Sequence, residues 1–408
     1  MPASPRTARV INDRLALDHL LREGPLTAAR LKELTGLSRP TVADLVDRLT
    51  GAGLVRVVGE SGADRRGPNA RLYGLVAERA HLAALDVRTS GLALVVTDLL
   101  GTPLAEARLP IDGGLGTVPA VERAVSLLDA ALAEAGVDAL HSVCVGAPGL
   151  VDPATGELRD STGLPGWHRR LVRALQGHRS ARVLVENETN LAAVAERRHG
   201  AAQDHDTFVL LWLGHGVGAA LVLDGTLRRG AGGGAGEIGF LPVPLTSTLP
   251  SATDCGGGFH SLAGAAAVHE LARRHGVPVT RPRDDADGRE EPASATAVRA
   301  AFEAGTAGEL FLDELADRIA LGAAAVAAVL DPGCVVLAGE TGEAGGEALA
   351  ARVGKRLAAL SPSAPTSAPP ASAAQPSSPA PSSPPRRTRG RRSSRPEAQK
   401  VKTSPAGA

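Results

Sequence analysis

The chain has 408 residues with 44 basic and 44 acidic side chains, room for two or three domains with cores of their own. Its three scattered cysteines, Cys144, Cys255 and Cys334, exclude a disulfide framework and point to a cytoplasmic location. Aromatic residues make up 2% of the chain, which argues against base stacking on single strands, and Asp331-Pro332 breaks the longest apolar run, so no membrane is expected as a partner. The charge is unevenly spread. Residues 1–79 carry 13 Lys/Arg against 9 Asp/Glu, residues 361–408 carry 8 against 1, and the middle is acidic. An acidic body between basic ends assigns any nucleic-acid contact to the ends.

Residues 1–79 read as a winged helix-turn-helix. A first helix over 10–21 packs beneath two short amphipathic ones. Thr27 caps the second helix, whose apolar residues Ala28, Leu31 and Leu34 recur at helical spacing. Gly36 makes the tight turn, Ser38 caps the third helix, and Pro40 lies in its first turn. Val42, Leu45, Val46 and Leu49 form its buried stripe. Ser38, Arg39, Pro40, Thr41, Asp44 and Arg48 lie at or beside the opposite face, suited to the major groove of double-stranded DNA. An ordinary helical hairpin with a solvated face is the alternative. Strands at 55–58 and 71–75 flank a long connector bearing Arg65, Arg66 and Asn69, a wing able to reach phosphates or the minor groove.

Residues 80–360 alternate strands and helices, as in an α/β fold with helix-covered sheets. Strands are expected at 81–86, 91–98, 142–146, 182–185, 208–213, 218–223 and 334–338. Helices are expected at 118–135, 189–199, 261–275, 309–330 and near 344–360. Glycine-rich segments follow several strands: 145–149, 214–218, 230–239 and 338–342. Together they suggest a cleft where a polar ligand approaches the backbone.

The segments Val145-Gly-Ala-Pro-Gly-Leu-Val-Asp-Pro-Ala-Thr-Gly156, Val185-Glu-Asn-Glu-Thr-Asn-Leu-Ala-Ala-Val-Ala-Glu196 and 230–239 resemble the ROK family (repressor, open reading frame, kinase). The resemblance spans about residues 9–360 and implies a two-lobed sugar-kinase/actin-like, ribonuclease H-like body. With the winged helix in front, it implies a homodimeric repressor of an operator that answers to a sugar or sugar phosphate. It also implies Asn187, Glu188 and Glu237 as residues that hold ligand hydroxyls.

The departures from the family pattern weigh against phosphoryl transfer. Asp86-Val-Arg-Thr-Ser90 keeps only the Asp of the first phosphate turn, although Arg88 can attract a phosphate. His215 replaces a hydroxyl residue in the second turn. Glu188 stands where the family base is Asp, and its extra methylene shifts the carboxylate by about an ångström, enough to cost roughly a hundredfold. Of the family's zinc ligands only Cys255 and His260 remain, and Leu262 replaces a sugar-binding Glu. No catalytic residue, metal or cofactor is expected. A sugar kinase fused to a DNA-binding domain, and a DNA-binding dimer with a non-functional cleft, are the other readings. From Ser361 onward the chain is rich in Pro, Ser and Arg, and a disordered tail is expected over 361–408.

Overall fold

The computed structural model describes residues 5–61, 70–88, 91–111, 114–159, 165–178, 181–251, 254–279, 291–362 and 365–370. It is a mixed α/β structure with a winged helix-turn-helix at its N-terminus. Helix α1 (Pro5–Glu23) leads into the short strand β1 (Leu26–Thr27), then α2 (Ala28–Thr35) and α3 (Arg39–Gly51). The Thr27 hydroxyl accepts from the Arg30 N–H and Ser38 Oγ from the Thr41 N–H, so both helices start at a side-chain cap. Gly36 ends α2 at φ 69°, a left-handed conformation that lets α3 turn away sharply. Val42, Leu45, Val46 and Leu49 are buried with Ala16, Leu20 and Leu31 in one core. Each large side chain so buried contributes roughly 1.5–3 kcal/mol.

Strands β2 (Val55–Ser61) and β3 (Ala70–Leu75) pair antiparallel, with β1 added beside β3. Both run longer than the sequence suggested, to Ser61 and from Ala70. Residues 62–69, with Arg65, Arg66 and Asn69, lie outside the described residues. Backbone bonds carry the hairpin into the body: the Val76 N–H donates to Leu54 and the Leu99 N–H to Ala77.

The first lobe is a five-stranded sheet of β4 (His81–Arg88), β5 (Gly91–Asp98), β6 (Pro103–Pro110), β7 (Ser142–Ala147) and β8 (Arg182–Asn187), ordered β6-β5-β4-β7-β8. Helix α4 (Thr117–Glu134) and helix α5 (Trp167–His178) pack together beside it. Helix α6 (Glu188–His199) leaves the end of β8.

The second lobe is built from β9 (Phe208–Leu213), β10 (Val217–Leu223), β11 (Thr226–Arg228), β12 (Cys334–Ala338) and β13 (Thr366–Ala368), ordered β11-β10-β9-β12-β13. The two sheets share one plan: three antiparallel strands, then two added parallel to the first. Helices α7 (His260–Ala263), α8 (Ala265–Arg274), α9 (Ala293–Ala301), α10 (Gly305–Leu330) and α11 (Gly339–Leu360) complete this lobe. Its core gathers Leu211, Leu213, Phe259, Phe311, Leu315, Val335 and Leu349.

The fold continues past the boundary expected at Leu360. Thr366–Ala368 pairs in parallel with Cys334–Val336 and gives the second sheet its fifth strand. Pro365 and Pro369 flank this strand, and an edge position accommodates them because one side of the strand needs no partner. Residues 371–408 lie outside the described residues. Among the described residues, no helix is long and apolar enough to cross a membrane.

Candidate functional site

In the winged helix, the N-terminal turn of α3 stands at the surface. Ser38, Arg39 and Pro40 are exposed, as is Asp44, and Thr41 is half-buried with its Oγ1 2.8 Å from Ser38 Oγ. Arg48 has a different role from the others. Its guanidinium donates to Asp13 of α1 and Asp44 of α3, tying the two helices together.

The cleft of the body is built at strand ends. Asn187 closes β8 and caps α6, its Oδ1 accepting from the N–H groups of Thr189 (2.8 Å) and Asn190 (3.4 Å). Its Nδ2 donates to the Gly149 carbonyl at 3.1 Å. The side chain is therefore spent on structure, joining the 146–149 turn to the start of α6. Glu188, the first residue of α6, interacts electrostatically with Arg88, Asp86 and Glu237. Its Oε2 is buried without a hydrogen-bond partner. Burial pushes its carboxyl up to about 7; its own backbone N–H and Arg88 oppose the rise, while Asp86 and Glu237 add to it.

Glu237 follows Gly236, which sits at φ 92° with the backbone so close to Ala219 that a β-carbon would lie 1.9 Å from its carbonyl oxygen. Only glycine fits there, and this close approach brings Glu237 to the cleft. Burial also raises the Glu237 carboxyl. Glu188 thus lies within electrostatic reach of Glu237, Arg88 and Asp86, while the Asn187 side chain is engaged in structure.

That cluster was only partly legible. Arg88, at the end of β4, donates through Nε to Asp86 Oδ1 (3.0 Å) and Oδ2 (3.2 Å). Its Nη1 donates to Glu340 Oε1 at 3.4 Å, across the cleft at the start of α11. The guanidinium also lies 5.9 Å from the Trp212 ring centre. Burial alone would lower the Arg88 pKa, but Asp86, Glu340 and Glu188 hold it above its ordinary value. His168 Nε2, 3.1 Å from the Arg88 carbonyl, steadies the strand end, and burial lowers its own pKa. Glu340 Oε2 is buried and unpartnered. A β-carbon on Gly214 would lie 2.5 Å from that oxygen and 2.8 Å from Trp212 Nε1, so the carboxylate rests against the glycine turn after β9.

Sequence reasoning missed Glu340, Trp212 and Glu186. Glu186 is buried and accepts from Asn190 Nδ2 (2.8 Å) and Arg229 Nε (2.6 Å), anchoring the loop that bears Glu237. The one signal for Glu340 was a carboxylate inside the glycine segment 338–342.

The residues at the zinc-type position do not fit that metal. A closed zinc site takes four ligands, whereas here Phe240 replaces the histidine and only Cys255 and His260 remain. Among the described residues, no group of three or more His, Cys, Asp or Glu could hold a metal ion. The loop is anchored instead by Phe259, fully buried against Gly322, where a β-carbon would come within 2.4 Å of the ring. Leu262 is buried in the same core rather than facing the cleft ligands.

The ROK family model matches residues 83–378 and the MarR family model residues 12–67. The xylose repressor of Bacillus subtilis is 24% identical over 250 residues, 57% of this chain and 60% of the repressor's length. The Escherichia coli DNA-binding transcriptional dual regulator NagC is 25% identical over 342 residues, 79% of this chain and 78% of that protein. A solved ROK family transcriptional regulator, a homologue of the Escherichia coli MLC protein, superposes with a TM-score of 0.68 at 19% identity. That superposition covers 87% of this chain and 89% of the other, and it shows a shared fold.

Proposed function

This chain belongs to the ROK family, and we propose that it is a DNA-binding transcriptional repressor, acting in the cytoplasm as a homodimer, whose body answers to a sugar. The observation that carries this reading is the pairing of a winged helix with a two-lobed body whose cleft retains Glu188 and Glu237. The similarity to the xylose repressor and to the transcriptional dual regulator NagC supports it.

Ser38, Arg39, Pro40 and Thr41 present the turn that would enter the major groove, with Asp44 beside them and Arg65, Arg66 and Asn69 in the wing. Arg48 would act chiefly by holding α1 against α3. A homodimer is supported by exposed apolar residues on α1, Val10 and Ile11, and by the few base-facing side chains one recognition helix offers.

The regulator reading is favoured over a kinase by Glu340. Its carboxylate sits among the glycine turns where a nucleotide's phosphates would need room and positive charge. It is favoured over a non-functional cleft by the buried, unpartnered Glu188 Oε2, a group whose desolvation a ligand donor would offset.

The experiment is footprinting of the purified protein on its own upstream region, with and without sugars. Two protected half-sites one helical turn apart, released by a sugar, are expected. Arg39→Ala and Thr41→Ala should each weaken operator binding by about 1–3 kcal/mol. A single short asymmetric site, or none, would refute the proposal.

A further inference from the structure

Away from the cleft, the first lobe carries a cavity of the opposite charge. It measures about 570 Å³ and lies where α4 and α5 pack together. Arg169, Arg170 and Arg173 of α5 line it, with Thr117, Val121 and Gly166 beside them. Among the described residues no Asp or Glu lines it, although the body as a whole is acidic.

Helical spacing makes the three guanidinium groups neighbours. Residues three and four apart share a face, so Arg173 stands beside both Arg169 and Arg170, and like charges so placed repel. Arg169 is half-buried and has a partner of its own. Arg170 and Arg173 are exposed, and among the described residues neither forms an ion pair. The contrast is with α11, whose Arg352 and Arg356 are paired to Glu309, Asp313 and Asp317 of α10. Thr117 is the first residue of α4, and its Oγ1 lies 3.8 Å from the place a β-carbon on Gly166 would take. A hydroxyl donor therefore joins the arginines on the same wall, while Val121 is buried and apolar.

These groups are donors and positive charges, so the matching ligand is an anion with several acceptor oxygens. A carboxylate brings one charge and two oxygens. A phosphate monoester brings about two charges and three oxygens near neutral pH, and guanidinium forks match it in geometry.

We propose that this cavity binds a small phosphate monoester. Arg170 and Arg173 hold the phosphate, Arg169 adds charge, Thr117 donates to a further oxygen, and the carbon skeleton rests against Val121. The site shares no residue with the carboxylate-rich cleft and does not depend on the sugar-responsive reading. It is nevertheless connected to that cleft. His168, in the same turn of α5, places Nε2 3.1 Å from the carbonyl of Arg88, whose side chain reaches Glu340. A ligand that fixes this turn also fixes the backbone beneath that contact.

The test is calorimetric titration of the full chain near neutral pH with glycerol 3-phosphate, 3-phosphoglycerate and glucose 6-phosphate. Each is run beside its unphosphorylated parent. At least one ester should bind at least about tenfold tighter than its parent, as charge-assisted hydrogen bonds to phosphate predict. The double variant Arg170→Gln with Arg173→Gln should weaken that ester at least about tenfold, since a neutral amide neither attracts nor forks the phosphate. Both positions are exposed, and circular dichroism should show the variant folded as wild type. Glu237→Gln, in the cleft, should bind the ester within about twofold of wild type, because distant sites act independently. An ester lost in Glu237→Gln but kept in the double variant belongs to the cleft and overturns the proposal. So does a panel in which no ester exceeds its parent. If the double variant instead lowers the salt slope of duplex DNA binding while no ester binds, the arginines serve the DNA backbone and the proposal is equally overturned.

Discussion

Replacing Glu188 by glutamine should stabilise the protein in a pH-dependent way, and the structure sets the size and sign. Burial places the folded carboxyl at about 7, against 4.5 for an ordinary glutamate. Between these values the folded chain keeps a proton that the unfolded chain has released. Stability therefore falls as pH rises through this window, and the full penalty is present above it. A gap of about 2.5 pH units corresponds to a ceiling of about 3 kcal/mol. Glutamine keeps the shape and cannot ionise, so the penalty vanishes.

Urea unfolding of wild type and Glu188→Gln at about pH 4.5, 6.5 and 8.5, followed by circular dichroism, checks this. The two should be nearly equal at the lowest pH. The variant should be more stable by about 2–3 kcal/mol at the highest. A stability difference that stays constant across the three pH values would refute the argument, since it would mean that Glu188 does not hold its proton in the fold. Its own backbone N–H and then Arg88 oppose the rise, while Asp86 and Glu237 act with burial, so replacing Arg88 would widen the window rather than close it.

Two further outcomes are expected. Arg65→Ala with Arg66→Ala should weaken binding to all DNA sequences alike and lower the salt slope by about one for each phosphate no longer neutralised, measured by fluorescence anisotropy across a salt series. A changed sequence preference with an unchanged slope would instead assign them to base or groove readout. In a coupled ADP-release assay the protein and its Glu188→Asp variant should show no sugar-dependent turnover, because Glu340 still holds Arg88 against Asp86 and occupies the phosphate turns.

The winged helix was legible because its punctuation is local. Thr27, Gly36, Ser38 and Pro40 announce where helices start and stop, and the stripe of Val42, Leu45, Val46 and Leu49 has an unbroken helical period. Strand β6 was missed because Pro-Leu-Ala-Glu-Ala-Arg-Leu-Pro lacks β-branched residues and is bounded by prolines; its place comes from pairing with β5. Helix α5 was missed because its arginines and histidines obscure the apolar face of Trp167, Leu171, Val172 and Leu175. Strand β13 lies in a Pro/Ser-rich stretch and owes its conformation to the open edge of β12.

At the site, Glu188 and Glu237 stood in recognisable motifs. The Arg88–Glu340 pair could not be read, because its members are 252 residues apart and meet only when the two lobes fold against each other.

Phe259 gives the loop after the 3-10 turn Ile238–Phe240 an unusual independence. A loop stapled by thiolates loses its shape when the cell runs short of zinc or turns oxidising. This one is held by an aromatic ring in a slot left open by Gly322, where a side chain on residue 322 would displace it. The described part of this loop, beside the segment carrying Glu237, is thereby held by the packing of one ring.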